Sequence, residues 1–389
     1  MFTITGNKTI APARLNRIAV SVFFYVAGLT FATWASRIPD IKLRLGLNEA
    51  AFGSVLFAMP VGLMASLPAS GYLVTRFGSK RVVTIAALLY PLMLISLGLA
   101  AAAWQLAALL FVFGFSANLF NISVNTQAVG VEINYGRSIM ASFHGLWSLA
   151  GFCGAATGTL MIYLHVPPVY HFIIIFICAA ILVLASRRYA PDKDSGVQTS
   201  QKLFPRPDAT ILKLGIIAFG SMVSEGAMFD WSGIYFQKVL LVPPGMVSFG
   251  FGSFMSTMAG GRFAGDILIT KFGVKRMLQI SGVFIAAGLL TAIIFPYFYT
   301  SVFGFLMVGF GVSSVVPMVY GLAGKSKTMP PGVAIASVSS IGFLGFFAGP
   351  PLIGFIAQAI NLRASFALIA LLGFGTTIMA TFVKNEHGQ

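Results

Sequence analysis

The sequence predicts an all-α membrane protein of twelve transmembrane helices in two pseudo-symmetric six-helix halves. Three observations carry that prediction. Charged residues make up 9% of the chain and hydrophobic residues 57%. A soluble domain has about 25% charged residues and needs polar surface to cover its core. Apolar runs of membrane-crossing length recur along the chain, and landmarks of its first half return in the second at a constant offset.

A hydrocarbon core of about 30 Å takes about 20 apolar residues in helical form. In the first half such runs fall near 18–36, 49–70, 82–102, 105–130, 138–164 and 168–186. They resume near 213–235, 246–264, 277–299, 300–324, 331–358 and 363–383. The long polar stretch 187–212 reads as a cytoplasmic linker between an N-terminal bundle, 1–186, and a C-terminal bundle, 213–389. The first run exceeds a signal-peptide core and is followed by further spans, so it is expected to remain in the protein.

Basic residues punctuate the apolar runs. With the N-terminus in the cytoplasm, only Arg37, Lys42, Arg44, Lys238 and Arg363 of the 25 Lys and Arg fall outside. Excess Lys and Arg on inner loops orients a polytopic protein, which places both termini inside. The net charge of +15 is therefore an orientation signal. No basic face with interleaved aromatics points to nucleic acid. Cys153 and Cys178 lie in apolar runs, and the four His form no cluster with metal-ligand spacing. No cofactor is implied.

The repeat is visible in two turns. "TRFGSKR" (75–81) returns as "TKFGVKR" (270–276), an offset of 195 from Gly78 to Gly273. The same offset pairs Gly154 with Gly349. Parallel repeats of this kind put the solute site near the midplane between the halves. Glycine suits a tight turn that needs positive φ, and neighbouring Arg and Lys complement helix C-terminal ends.

On these residues the chain resembles the Major Facilitator Superfamily, whose loop signature reads G-x-x-x-D-R-x-G-R-K. Here it stands as Gly71, Thr75, Arg76, Gly78, Ser79, Lys80, with Arg81 following. Its second copy is Asp266, Thr270, Lys271, Gly273, Lys275, with Arg276 following. The sequence departs from the signature at the acid, which is Thr75 and Thr270. The resemblance spans all twelve runs and implies the superfamily fold and alternating-access transport, with these turns as gating elements. "TWASRIPDIK" (33–42), "SFHGLWSLAG" (142–151) and "EGAMFDWS" (225–232) are similar to a bacterial inner-membrane subgroup. Spans 4 and 5 also resemble the fucose–proton symporter branch.

Polarity is concentrated in three spans. In "NLFNISVNTQAVGVE" (118–132), Asn118, Asn121, Asn125 and Glu132 fall within roughly 60° on a helical wheel. An amide facing lipid leaves its hydrogen bonds unmade, so this stripe faces protein or a cavity. It either glues helices together or forms an amide wall for a polar solute. Glu132 lies near Arg137, and their ion pair is expected at the inner gate. In span 5, His144 and Trp147 sit one turn apart as solute-binding candidates, with His144 either a satisfied helix residue or a solute or proton contact. Its counterpart at the 195 offset is Ser339, so the halves differ here. Trp34 and Trp231 read as interfacial anchors or as aromatic walls of the cavity. "GPPLIG" (349–354) is expected to bend span 11.

Span 7 carries Glu225 and Asp230. Counting from Lys213, Glu225 lies about 18 Å into the span, near the midplane, and Asp230 about 8 Å further out. An acid there is costly as an ion and favours taking up a proton. The alternative is a salt bridge, but cations sit at or near span ends, Arg37 and Arg262 being the nearest. Glu225 is assigned to the central cavity as proton or solute site, with Arg262 among the gating residues. Asp230, about 140° round the helix from Glu225, is the second proton-coupling candidate, assigned to an outer-gate contact, with a pair to Arg37 as the alternative.

The expected function is proton-coupled symport of a small polar solute, with a sugar among the candidates. Proton-driven export of a drug or metabolite is the alternative, and a non-transporting receptor or scaffold the alternative of another class. No nucleophile–base pair and no phosphate loop points to an enzyme. The expected partners are the solute, protons and the lipid bilayer of a bacterial inner membrane, the chain working as a monomer.

Overall fold

The computed structural model describes residues 10–135, 139–192, 208–326 and 328–383. Among these residues every regular element is helical, as a backbone in hydrocarbon requires when it must bond its own polar groups. The first half comprises α1 (Ile10–Arg44), α2 (Glu49–Leu56), α3 (Ala58–Phe77), α4 (Ser79–Leu99), α5 (Ala103–Tyr135), α6 (Met140–Tyr163) and α7 (Pro168–Ser186). The second comprises α8 (Ala209–Lys238), α9 (Phe249–Phe272), α10 (Val274–Ile294), α11 (Phe298–Ser313), α12 (Val315–Gly324), α13 (Pro331–Ala359) and α14 (Leu362–Thr381).

Eleven of the helical stretches among the described residues are long and apolar enough to cross a membrane. The remaining expected span is α9, which has the length at 24 residues but carries Arg262, Asp266 and Lys271. Two expected spans are divided, span 2 at Phe57 and span 10 at Ser314. Helix α13 runs through Pro350 and Pro351 as one 29-residue helix. Asn48, Asp208 and Asn361 cap α2, α8 and α14, their side-chain oxygens accepting from the first-turn amides of Ala51, of Thr210 and Ile211, and of Ala364. Such caps satisfy amides that the helix leaves orphaned.

The chain folds as two compact units. One comprises Met1–Trp34, Ala58–Gly154 and Val166–Val197; the other comprises Ala35–Phe57, Ala155–His165 and Gln198–Gln389. In the first, Tyr90 and Phe113 pack with ring centroids 4.5 Å apart, and Trp34 lies against Phe113 at 6.2 Å. In the second, α8 is the buried centre, with Tyr235 stacked on Phe366 at 4.8 Å and its hydroxyl donating to the Ala292 carbonyl at 2.8 Å.

The internal repeat extends to atomic contacts within each unit. In the first, Gly114 of α5 abuts the Met59 carbonyl of α3; in the second, Gly309 of α11 abuts the Phe254 carbonyl of α9. Both residues of the pair are displaced by 195. The neighbouring rung matches as well. Gly62 approaches the Phe111 carbonyl, while Thr257 donates to the Leu306 carbonyl at 2.7 Å. The turns agree too, with φ of 81° at Gly78 and 76° at Gly273. The Gly154–Gly349 pair is not equivalent in packing: a methyl on Gly154 would meet Ala32, whereas Gly349 has open space.

Candidate functional site

Helix α8 positions Glu225. Every residue from Gly220 to Phe229 is buried, so the acid is held between neighbouring helices near the middle of this 30-residue helix. Its Oε1 accepts from the Arg262 guanidinium of α9 at 3.4 Å, with side-chain exposures of 9% and 19%. This corrects the expectation that cations keep to span ends, because Arg262 is the fourteenth residue of the 24-residue α9. The cause is Arg262 itself, which lowers local hydropathy and so shortens the apparent span. Neither charge has a counterpart in the first half, where the 195 offset leads to Thr30 and Leu67.

A helix break packs against α9 beside Arg262 in the sequence. Ser313 and Ser314 sit where α11 ends and α12 begins, and they press on Gly261 and Gly265, which flank Arg262 in the sequence. The Ser314 hydroxyl donates to the Gly261 carbonyl at 3.4 Å. A bulkier residue at either glycine would force α9 away from the break. Tyr320 of α12 lies within electrostatic reach of Glu225 and beside Ser339. Sequence reasoning missed these residues, although Ser-Ser followed by Pro317 is a breaker signal.

Asp230 is partly buried and has no hydrogen-bond or ion-pair partner among the described residues. The expected alternative, a pair with Arg37, is not formed; Arg37 instead bonds Asp40, one turn along α1, at 2.6 Å. Local geometry wins, since residues three apart on a helix face one another.

The asparagine stripe divides. Asn118 is 4% exposed and donates to Ser66 Oγ at 2.9 Å, joining α5 to α3. Asn121 is exposed, and Asn125 donates to both its carbonyl and its side-chain oxygen at 2.8 and 2.9 Å. Glu132 Oε2 accepts from the amides of Ile139 and Met140 at 2.7 and 2.8 Å, which caps the start of α6. Arg137, its expected partner, lies outside the described residues, as does the Asp266 side chain. His144 is exposed, its ring edge 5.2 Å from Phe24, and Trp147 stacks on Phe31 at 6.0 Å. Trp34 and Trp231 have no exposure. They are core residues here rather than anchors or open cavity walls, Trp231 meeting Phe52 edge-on at 5.7 Å.

Around the turns, Arg76 donates to the Tyr72 hydroxyl at 2.5 Å, and Lys80 pairs with Asp192 at 2.8 Å. The Thr75 hydroxyl donates to the Gly71 carbonyl at 2.8 Å, a bond within α3. Arg81 and Arg276 are exposed, and Lys271 lies over the Phe272 ring.

The sequence profile of the Major Facilitator Superfamily matches residues 18–329. The chain belongs to this superfamily. Superfamily members are secondary transporters of small molecules, so the protein is a multi-pass membrane transporter and not an enzyme. It is 32% identical over 372 residues to an uncharacterised MFS-type transporter of Yersinia pestis, covering 96% of this chain and 97% of that one. It is 30% identical over 388 residues to membrane protein MosC of Rhizobium meliloti, covering 99% and 94% respectively. The fold is similar to the crystal structure of the nucleoside transporter NupG, with TM-score 0.70, 13% identity and coverage of 95% and 99%. It is similar also to an inward-facing, occupied bacterial homologue of the human lysosomal transporter Spinster, with TM-score 0.71, 13% identity and coverage of 97% and 96%.

Proposed function

We propose that this transporter carries a small polar solute together with a proton, with Glu225 as the proton site and Arg262 as its counter-ion. The Glu225–Arg262 contact supports this reading. An ionised acid inside a membrane protein needs a compensating charge, and Arg262 supplies it. The contact is nevertheless loose. Its 3.4 Å exceeds the roughly 2.7–2.9 Å of a strong charge-assisted bond, so the pair opens at modest cost when the carboxylate accepts a proton. Glu225 then has two tolerable states, paired and ionised or neutral and released.

The exposed Asn121, the Asn121–Asn125 amide pair and the exposed His144 offer hydrogen bonds to a hydroxyl-bearing solute. The excess of Lys and Arg in the turns supports an inner-membrane protein with cytoplasmic termini. Glu225→Gln in proteoliposomes with an imposed pH gradient tests the reading. Gradient-driven accumulation is expected to vanish while solute exchange persists; undiminished accumulation removes Glu225 from the coupling.

A further inference from the structure

Away from the acid pair, the turn between α3 and α4 borders a groove. Leu73 and Phe77 of α3, Arg81, Val82 and Ile85 of α4, and Leu119 of α5 line a hollow of about 320 Å³ within the first unit. Val82 and Leu119 form its floor, at 5% and 6% exposure, whereas Phe77 and Ile85 are 47% and 63% exposed. Leu73 and Ile85 lie one helical turn, about 6 Å, deeper than Phe77 and Arg81. The groove is therefore cationic at the turn and apolar below it. Both α3 and α4 belong to stretches of membrane-crossing length, where exposed apolar side chains gain from hydrocarbon rather than water.

The charged end is basic beyond its own needs. From Ala50 to Val131 the sequence contains no acid, yet Arg76, Lys80 and Arg81 meet in this turn. Lys80 is engaged by Asp192. Arg76 lies over the Phe77 ring at 5.7 Å and donates to the neutral Tyr72 hydroxyl. Arg81 is exposed. The stretch 187–207, which reaches the turn through Asp192, carries two acids against five cations, so cations stay in surplus wherever those acids go.

We infer that this groove holds an acyl chain of an anionic phospholipid, with the headgroup phosphate on Arg81 and Arg76. A guanidinium fork matches a phosphate, and an arginine stem packs along apolar surface while its head stays at the interface. Basic pockets between spans bind anionic headgroups in this way. A zwitterionic lipid brings the same phosphate with a cation beside it, which the arginines oppose. The repeat supplies an internal control. At the 195 offset, Leu268, Phe272, Arg276 and Ile280 restore the walls and the cation, but Met277 stands for Val82 and Ser314 for Leu119. Met277 is the longer side chain and is 3% exposed, so the second half keeps the charge without the same floor.

Native mass spectrometry of the delipidated full-length protein tests this by titration with dioleoylphosphatidylglycerol and dioleoylphosphatidylcholine, which share their acyl chains. Phosphatidylglycerol is expected to bind more tightly. Arg76→Gln combined with Arg81→Gln should weaken it about tenfold with little effect on phosphatidylcholine, and Arg276→Gln should leave the titration unchanged. Val82→Phe, which fills the floor and keeps the charges, should also weaken phosphatidylglycerol; melting temperatures check that each variant folds. If Val82→Phe fails that check, the exposed arginine pair still decides. Inorganic phosphate alone is expected not to displace the lipid. Equal binding of the two lipids, displacement by phosphate, undiminished binding in the arginine double variant or in folded Val82→Phe, or an equal loss from Arg276→Gln overturns the inference.

Discussion

Glu49 and Lys238, 189 residues apart in the sequence, form an ion pair of 2.5 Å. The same oxygen accepts from Lys42 at 3.2 Å, and Lys42 is only 3% exposed. The Glu49 amide donates to Gln358 Oε1 at 3.3 Å, so one residue ties together α1, α2, α8 and α13 within the second unit. The close approach of Gly53 to the Pro350 carbonyl holds α2 near enough for this to occur. Glu49→Gln leaves the buried Lys42 without its acid, and breaking such a pair costs about 3 kcal/mol. Lys238 is 48% exposed, so Lys238→Gln should cost under about 1 kcal/mol. Thermal unfolding in detergent should rank the two variants in that order. A larger loss from Lys238→Gln refutes the assignment.

The matched turns make a second prediction. Gly78 and Gly273 combine φ of 81° and 76° with ψ of 146° and 154°, an essentially glycine-only region that costs an L-residue about 1–3 kcal/mol. Gly78→Ala and Gly273→Ala should each destabilise by that amount, and by similar amounts. Gly71 is the control: it lies inside α3, and a methyl there meets nothing within 4 Å. Gly71→Ala should stabilise by roughly 0.5–1 kcal/mol. Melting temperatures of the three variants check both signs.

Asp208 gives a pH dependence. The Thr328 hydroxyl, then the Ile211 and Thr210 amides, bond its carboxylate and hold the acid below its usual value. A depressed acid contributes stability that is present above its unfolded value, about 3.9, and is lost as pH falls through the folded value. Asp208→Ala should therefore lower the melting temperature by a constant amount between pH 5 and 8, corresponding to about 1 kcal/mol for a lost cap. Below about pH 4 the difference should shrink. A difference that grows on acidification contradicts the capping role.

Much of this architecture was legible because hydrocarbon leaves the backbone few choices. Long apolar runs must be helices, and a run's length measures a span. The positive-φ glycines were legible through the repeated "FGSK" and "FGVK" turns, since a duplicated glycine marks a backbone need. Arg262 reads as a span-end residue in the sequence because the charge that matters also erases the hydropathy that locates it. Trp34 and Trp231 were ambiguous because indole suits both an interface and a core, and packing alone decides. Glu132 became a cap since the next helix starts within reach of its carboxylate. The Glu49–Lys238 pair had no sequence signal, because nothing local relates residues so far apart.

The bare contacts of Gly114 with the Met59 carbonyl and of Gly309 with the Phe254 carbonyl bear on how a doubled gene diversifies. Main chain resting on main chain has no rotamer to repack, so these crossings behave as fixed joints whatever side chains change elsewhere. Each copy can then drift freely along its other surfaces without losing its frame. A charge pair installed in one copy alone, with threonine and leucine left at the equivalent places in the other, is the freedom such joints permit.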